Sequence, residues 1–131
     1  MVISQGEIWW ADIPAPAASG LGFRTPVIVV QGEALNRSRI ATVVCVPLTG
    51  NLKWESAPGN ILLSARHPGL AKDSVANVSL IISVDKDFLT ECVGELPVSK
   101  LELILSDIEI ALAGSPEPSN PSGNPTEQTQ T

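Results

Sequence analysis

The sequence predicts a small, mostly β domain that ends in one α-helix. Short runs of β-branched and apolar residues recur along the chain, and each run is too short for a helix of usual length. Only one segment, near the C-terminus, has the apolar spacing of an amphipathic helix. Because strands and helices do not alternate, the pattern favours a small, mostly antiparallel barrel or compact sheet over a doubly wound fold.

The chain of 131 residues divides into a folded body and a tail. Residues 1–113 contain all the predicted strands and the helix, which is the length of one ordinary domain. Residues 114–131 lack large apolar side chains and are rich in proline, serine and asparagine. Such a segment cannot offset the entropy of ordering its backbone, so we expect a disordered tail.

The first strand is predicted at residues 7–13, with the sequence E-I-W-W-A-D-I. Since successive side chains of a strand alternate between faces, Trp9 and Trp10 must point in opposite directions, one of them into the core. Residues 14–22 then form a loop rich in proline, alanine and glycine, which is typical of a mobile flap.

Two central strands are predicted at residues 27–30 and 41–46. Arg24 lies just before the first of them, in extended geometry favoured by Pro26. Thr49 follows the second, after Pro47, which we expect to end the strand. If these strands pair antiparallel, the start of one lies beside the end of the other, and Arg24 and Thr49 share one rim.

The later elements complete the sheet and add the helix. A long loop at 51–59 precedes a short strand at 60–63, and a further loop surrounds His67. Residues 74–84 fit two short strands or one bent strand, and 91–96 form the last strand. Ser99–Glu102 has the sequence of a capping box and predicts the start of the helix. Apolar residues follow at helical spacing: Leu101, Ile104, Leu105, Ile108, Ala111 and Leu112, with Leu103 and Ile110 widening the stripe.

The charge and cysteine content narrow the class of protein. A net charge of −6 argues against a general nucleic-acid-binding protein. Residues 20–72 nevertheless hold six basic side chains against two acidic ones, whereas 73–113 hold two against eight. This distribution indicates a local anion site or, alternatively, ordinary solvated charge. Cys45 and Cys92 form no disulfide framework or metal motif, and Cys45 is expected in the core.

Several catalytic templates are absent from the sequence. It contains no P-loop and no G-x-S-x-G motif, and it has a single histidine, His67, which is expected to be a solvated loop residue. We therefore expect no metal and no cofactor. The N-terminus lacks the features of a signal peptide and no run approaches a membrane span, so a cytoplasmic protein is expected.

Several segments together resemble the MazF/PemK family, the toxins of type II toxin–antitoxin systems. They are G-E-I-W-W-A-D-I-P, G-F-R-T-P-V-I-V-V-Q, N-R-S-R-I-A-T-V-V-C-V-P-L-T-G-N-L, P-G-N-I-L-L, K-D-S-V-A-N-V-S, S-V-D-K-D-F-L-T and the closing helix. The resemblance covers about residues 5–113. It implies an SH3-like antiparallel barrel of the CcdB/PemK type with a C-terminal α-helix, a homodimer, and metal-independent endoribonuclease cleavage of single-stranded RNA. It also implies a cognate antitoxin protein that covers the RNA site.

The resemblance further identifies Arg24 of R-T-P-V and Thr49 of P-L-T as the catalytic pair. In RNA the 2′-hydroxyl can attack the phosphorus, so the protein must chiefly stabilise charge on the phosphoryl oxygens. A guanidinium and a threonine hydroxyl suit that role. A proton from Arg24 to the leaving 5′-oxygen is implied by the family alone, and the general base stays open.

Residues near the pair are candidates for RNA binding, since single-stranded RNA is held by aromatic stacking and local basic groups. They are Phe23, Asn51, Lys53, Trp54 and Ser79. One position departs from the family pattern: Leu80 of V-S-L-I stands where many members have glutamine. Because leucine cannot hydrogen-bond a base edge or a phosphate, altered sequence preference, weaker activity and an engineered change all stay open at this position. Two alternatives to the nuclease also stay open: a CcdB-like toxin, which shares the barrel and binds gyrase without nuclease chemistry, and a catalytically weakened relative.

Overall fold

A computed structural model describes residues 2–14, 23–56, 59–64 and 72–113. Seven strands lie in these ranges: β1 (Glu7–Ile13), β2 (Phe23–Val29), β3 (Thr42–Thr49), β4 (Ile61–Leu63), β5 (Ser74–Ala76), β6 (Ile82–Asp85) and β7 (Leu89–Glu95). The helices are α1 (Glu33–Asn36) and α2 (Val98–Ala113), together with short 3₁₀ helices at Leu52–Ser56, Val78–Leu80 and Lys86–Phe88. The predicted flap, the loop around His67 and the tail at 114–131 lie outside the described residues.

β3 is the centre of an antiparallel sheet. The strand order is β4-β5-β3-β2-β1-β7, and β6 pairs with the first half of β3. All strand pairs are antiparallel, including the central pair β2 and β3, as the sequence predicted. The predicted class, a mostly β antiparallel fold with a C-terminal helix, is confirmed.

Apolar side chains bury both faces of this sheet. The first cluster lies under α2, whose Ile104 is fully buried against it. The second lies on the opposite face and includes Trp9, whose indole nitrogen donates to Glu7 Oε1 at 3.0 Å. Trp10 points the other way and is half-buried, which confirms the predicted split of the tryptophan pair. Cys45 is a core residue as expected, and its burial raises the pKa of the thiol to about 12.

Pro47 does not end β3, so that prediction was wrong. The strand continues to Thr49, and Pro47 pairs with Val27 of β2. On its other side β3 changes partner, from β6 at Cys45 to β5 at Leu48. The proline lies between these two pairings, where its missing N–H interrupts neither ladder. Its carbonyl still accepts a hydrogen bond from the Asn77 backbone N–H at 2.9 Å.

The segment 74–84 adopts the first of its two predicted forms, two short strands. β5 and β6 are separated by the 3₁₀ helix Val78–Leu80. Asn60, just before β4, fixes the start of this helix, because its Oδ1 accepts the backbone N–H of Val78 at 2.9 Å. The turn therefore places residues 77–80 at the end of β3 that contains Thr49.

α2 begins at Val98, one residue before the position predicted for its cap. Pro97 provides the first helical acceptor, since its carbonyl accepts the N–H groups of Lys100 and Leu101, each at 3.0 Å. Ser99 thus lies inside the first turn, and the capping-box prediction was wrong. The helix packs close to Gly6, where φ is +94° and an added Cβ would lie 3.0 Å from Leu101 Cδ2. The positive φ favours glycine there, and an added Cβ would also require the Leu101 side chain to shift.

The segment that joins β2 to β3 contains α1 and a buried amide network. Asn36 donates from Nδ2 to the Gln31 carbonyl and to Glu33 Oε1, each at 2.8 Å. Glu33 Oε1 also accepts the Gln5 backbone N–H at 3.0 Å. These hydrogen bonds, that of Asn36 first, hold the pKa of Glu33 below its ordinary value. The network ties the N-terminal segment to the beginning of β3.

Among the helices that the structure describes, none is long and apolar enough to cross a membrane.

Candidate functional site

A cavity of about 530 Å³ lies beside the C-terminal end of β3. We call it the β3 pocket. Its walls are partly apolar and partly hydroxyl or amide groups. The lining residues are Thr25, Pro47, Leu48, Thr49, Asn77, Ser79, Leu80 and Ile82. β2, β3, the Val78–Leu80 turn and β6 therefore all contribute to it.

Thr49 and Thr25 lie side by side in the β3 pocket. Both threonines line the pocket, and the β2–β3 register that pairs Val27 with Pro47 would, if extended by two residues, bring Thr25 opposite Thr49. Thr25 Oγ1 donates to the Leu48 carbonyl at 3.1 Å, so its proton is used to join the two strands. Thr49 Oγ1 accepts the Asn51 backbone N–H at 3.1 Å. Its own O–H has no acceptor among the described residues and is available to a ligand.

Arg24 lies at the same end of the strand pair as Thr49 but on the opposite face of β2. It is paired with Asp12 of β1, and its guanidinium lies 3.9 Å from the Asp12 carboxylate and 3.8 Å from that of Glu91. The guanidinium carbon also lies 4.9 Å from the Trp10 ring centroid. The backbones of both residues lie at the predicted end of the strand pair, but strand alternation directs the Arg24 side chain away from the pocket that Thr49 lines. Because Arg24 is 49% exposed, these long ion pairs are weak.

Two of the predicted RNA-binding residues lie at the pocket: Ser79 lines it, and the Asn51 backbone N–H is bound to Thr49 Oγ1. The Ser79 hydroxyl donates to Asn77 Oδ1 at 3.0 Å. Asn51 is exposed just after β3, and its Oδ1 accepts the backbone N–H of Lys53 at 3.3 Å. Lys53 is exposed in the Leu52–Ser56 helix. For Phe23 and Trp54 the structure describes the backbone only, at the start of β2 and in that 3₁₀ helix.

The sequence predictions missed two polar residues at this site. Asn77 is 7% exposed and lines the pocket. The sequence feature that could have identified Asn77 is its position in a mostly apolar run, because a side-chain amide that is buried in a folded domain must find hydrogen-bond partners. Lys72 packs on Gly50, the residue after Thr49: Nζ lies 2.7 Å from the position that a Cβ on Gly50 would occupy. In the sequence Lys72 is only a basic residue that precedes a strand. Its position beside Gly50 depends on the pairing of the strands, which the sequence did not give.

The β3 pocket combines donors with apolar walls. It offers the Thr49 hydroxyl and the Asn77 amide as neutral donors, with the Lys72 ammonium beside them. The walls from Pro47, Leu80 and Ile82 suit a flat or apolar group. The fold and site thus define a small β protein with a pocket in which hydrogen-bond donors lie next to an apolar wall, an arrangement that suits a ligand with acceptor oxygens beside a flat group.

Comparisons with known proteins identify the family. The family model described as "PemK-like, MazF-like toxin of type II toxin-antitoxin system" matches residues 4–112. Endoribonuclease MazF6 of Mycobacterium tuberculosis (strain ATCC 25618 / H37Rv) is 44% identical over 99 residues, which cover 76% of this chain and 87% of that protein. Endoribonuclease EndoA of Bacillus subtilis (strain 168) is 26% identical over 113 residues, covering 86% and 97%. The chain belongs to the PemK-like, MazF-like family of toxins of type II toxin–antitoxin systems.

Solved structures have the same fold. One is an endoribonuclease in complex with its cognate antitoxin from a mycobacterial species, with a TM-score of 0.64 and 25% identity, covering 89% of this chain and 98% of that one. The MazE-MazF structure from Deinococcus radiodurans has a TM-score of 0.71 and 23% identity, covering 88% and 99%. At that identity the second likeness concerns the fold alone.

Proposed function

We propose that this toxin is an endoribonuclease that cleaves single-stranded RNA at short sequence motifs, in the cytoplasm and without a metal ion or other cofactor. The observation that carries the proposal is the Thr49 hydroxyl, whose proton has no acceptor within the described residues and which opens into the β3 pocket. Family membership and relatives named endoribonucleases support the reaction class. The partly apolar pocket suits an unstacked base beside the phosphate.

In the proposed reaction the RNA supplies its own nucleophile. The 2′-hydroxyl oxygen attacks the adjacent phosphorus as its proton passes to a base, and the bond to the 5′-oxygen breaks as that oxygen takes up a proton, which leaves a 2′,3′-cyclic phosphate and a 5′-hydroxyl. Negative charge increases on the phosphoryl oxygens in the transition state, so preorganised donors lower the barrier. Thr49 donates a hydrogen bond to one such oxygen. Arg24 supplies a permanently charged guanidinium to another.

The role of Arg24 requires its side chain to leave Asp12 and Glu91 and to reach around the end of β2 towards the face on which Thr49 lies. Its guanidinium now faces Asp12 and Glu91 at distances of 3.8–3.9 Å, longer than a good charge-assisted hydrogen bond. Both carboxylates are more than half exposed, at 56% and 64%, so water already screens the attraction. A phosphate at the strand end offers shorter, bidentate contacts and can displace them.

The test is cleavage of a long single-stranded RNA by the purified protein in the presence of EDTA. Thr49→Ala and Arg24→Ala should each reduce kcat by about 100- to 1000-fold, the usual cost of losing one donor to a developing oxyanion. Thr49→Ser keeps the hydroxyl and should retain most activity. Circular dichroism should show an unchanged fold in all three variants.

Matched controls are available outside the site. Thr90→Ala removes an exposed hydroxyl whose only hydrogen bond in the described structure is to the Trp10 carbonyl, at 3.3 Å. Arg39→Ala removes an exposed guanidinium. Both should cleave at the wild-type rate. Full activity of Thr49→Ala and Arg24→Ala would refute the assigned roles, and no cleavage by the wild type would refute the enzyme class.

The proposed assembly is a homodimer whose RNA site is covered by a cognate antitoxin protein. A solved relative with the same fold is described as being in complex with its cognate antitoxin. Because an antitoxin segment and RNA would compete for one surface, bound antitoxin should suppress cleavage. Sedimentation of the purified chain alone and with antitoxin would measure both assemblies.

A further inference from the structure

Asn77 has hydrogen-bond donors that nothing in the described structure uses. Its Oδ1 accepts from Asn60 Nδ2 at 3.2 Å and from Ser79 Oγ at 3.0 Å, and its backbone N–H is bound by the Pro47 carbonyl. Its side-chain NH₂ group has no partner among the described residues. The side chain is nevertheless more than nine-tenths buried and lines the β3 pocket.

The orientation of this amide is fixed by its neighbours. Asn60 Oδ1 accepts the Val78 N–H, so the NH₂ of Asn60 must face Asn77. Asn77 must therefore present its oxygen to Asn60, which leaves its nitrogen without a partner in a residue that lines the pocket. A buried NH₂ group without an acceptor is costly, and its persistence at a pocket wall indicates a ligand that supplies one.

Resting on the proposed nuclease function, we propose that Asn77 is a specificity-determining residue that recognises a keto oxygen of an unstacked RNA base in the β3 pocket. A base fits better than a phosphate here, because Pro47, Leu80 and Ile82 line the same cavity with apolar surface. Uracil O4 and guanine O6 are acceptors of this kind.

The same network sets what Asn77 rejects. Its Oδ1 already accepts two hydrogen bonds, so the side chain offers the pocket donors only. The exocyclic amino groups of cytosine and adenine, which are donors, would face another donor and leave both unsatisfied. The pocket should therefore prefer uracil or guanine over cytosine or adenine at one position of the cleaved motif.

The experiment maps cut sites of the wild type and of Asn77→Asp on a randomised single-stranded RNA library. The aspartate keeps the accepting oxygen and replaces the NH₂ donors by an acceptor. The wild type should show a keto-base preference at one position. The variant should lose that preference by about tenfold or more, or reverse it, and keep its preferences elsewhere.

Asn36→Asp is the matched control. Asn36 is 8% exposed and lies in the α1 network, where both its donor contacts are to Gln31 and Glu33 rather than to a pocket. This variant should lose stability but keep the base preference. An unchanged preference in Asn77→Asp, from a wild type that cleaves, would overturn the role of Asn77 alone. A wild type that cleaves nothing would overturn the nuclease function and this inference with it.

A substrate-side measurement covers the case in which Asn77→Asp does not fold. At the mapped position of a defined RNA, uracil is replaced by cytosine, or guanine by 2-aminopurine, which lacks the keto oxygen. The wild-type protein should cleave the changed RNA about tenfold more slowly or worse, whereas inosine, which keeps the oxygen, should be cleaved like guanine. Equal rates for all of these RNAs would overturn the proposal.

Discussion

Leu80 gives the pocket wall an apolar surface at the position where many family members were expected to have glutamine. Its side chain is 55% exposed and lines the cavity. Leu80→Gln should raise kcat/KM by about 2- to 12-fold, because one added hydrogen bond to substrate contributes about 0.5–1.5 kcal/mol. Steady-state cleavage of a defined RNA measures this change.

The control for this prediction is Leu35→Gln in α1. Leu35 is 51% exposed and does not line the β3 pocket, so its substitution should leave kcat/KM unchanged. A Leu80→Gln enzyme no faster than the wild type would argue against the view of this chain as a weakened family member.

At the residue scale the sequence located Thr49 but not the direction of Arg24. Both lie at the predicted end of the strand pair, yet Arg24 is one position from Thr25, and a single step along a strand reverses the face. Asn77 was missed because its orientation depends on Asn60, 17 residues away in sequence. The pattern of residues around Asn77 does not reveal a hydrogen bond to a residue so distant in sequence. The catalytic roles themselves stay predictions.

At the scale of elements, α2 anchors one face of the sheet through a single buried side chain and its half-buried neighbours. Ile104 is fully buried, whereas the adjacent Leu103 is 46% exposed. Ile104→Ala should lower the free energy of unfolding by about 2–5 kcal/mol, through lost burial and a cavity. Leu103→Ala should change it by no more than about 0.5 kcal/mol. Urea unfolding at one protein concentration measures both.

The matched pair also tests the helix register. Equal losses from the two substitutions would mean that Leu103 is buried in the assembled protein, by a second chain or another partner. A small loss from Ile104→Ala would contradict the packing of α2 on the sheet.

Strands and helices could be predicted where the spacing of apolar residues determines the secondary structure, whereas the residues at which they begin and end were predicted less well. β1, β4 and the body of α2 follow directly from alternation or helical spacing. The end of β3 did not, because the cost of a proline depends on which neighbours the strand has on each side. The start of α2 was likewise set by the Pro97 carbonyl rather than by the Ser99 hydroxyl.

At the scale of the whole molecule, the distribution of charge matters more than its sum. The chain has a net charge of −6, yet Arg24, Lys53 and Lys72 all lie near the C-terminal end of β3. If these three cations contact phosphates, the logarithm of the RNA association constant should fall with the logarithm of salt concentration with a slope of about −2. Fluorescence anisotropy with an uncleavable 2′-deoxy substrate measures it.

Single lysine substitutions distinguish the effect of a charge at the RNA site from the effect of the overall net charge on the salt dependence of binding. Lys53→Ala should make the slope shallower by about 0.7, the contribution of one contact to a single strand. Lys86→Ala should not change it, because the Lys86 ammonium is bound to the Asn36 and Ser38 carbonyls. A slope independent of Lys53 would remove that residue from the RNA site.

The fold class was predicted correctly because that prediction needed only the number of strands and helices and their order along the chain. Many short strands followed by one helix define the class without any contact being known. The two halves of opposite charge were also visible in the sequence, whereas the pocket was not, since it forms where β2, β3 and β6 meet the Val78–Leu80 turn.

The contact between Lys72 and Gly50 predicts that the residues tolerated at the two positions depend on each other. Gly50 does not have a positive φ, so any small residue could adopt its backbone, and only the end of a flexible lysine opposes a side chain there. An alanine at 50 would be tolerated by the fold and would simply push the ammonium aside. Substitution at this position should therefore leave the melting temperature unchanged and weaken RNA binding, and a larger residue at 50 should be accompanied by a shorter or uncharged one at 72.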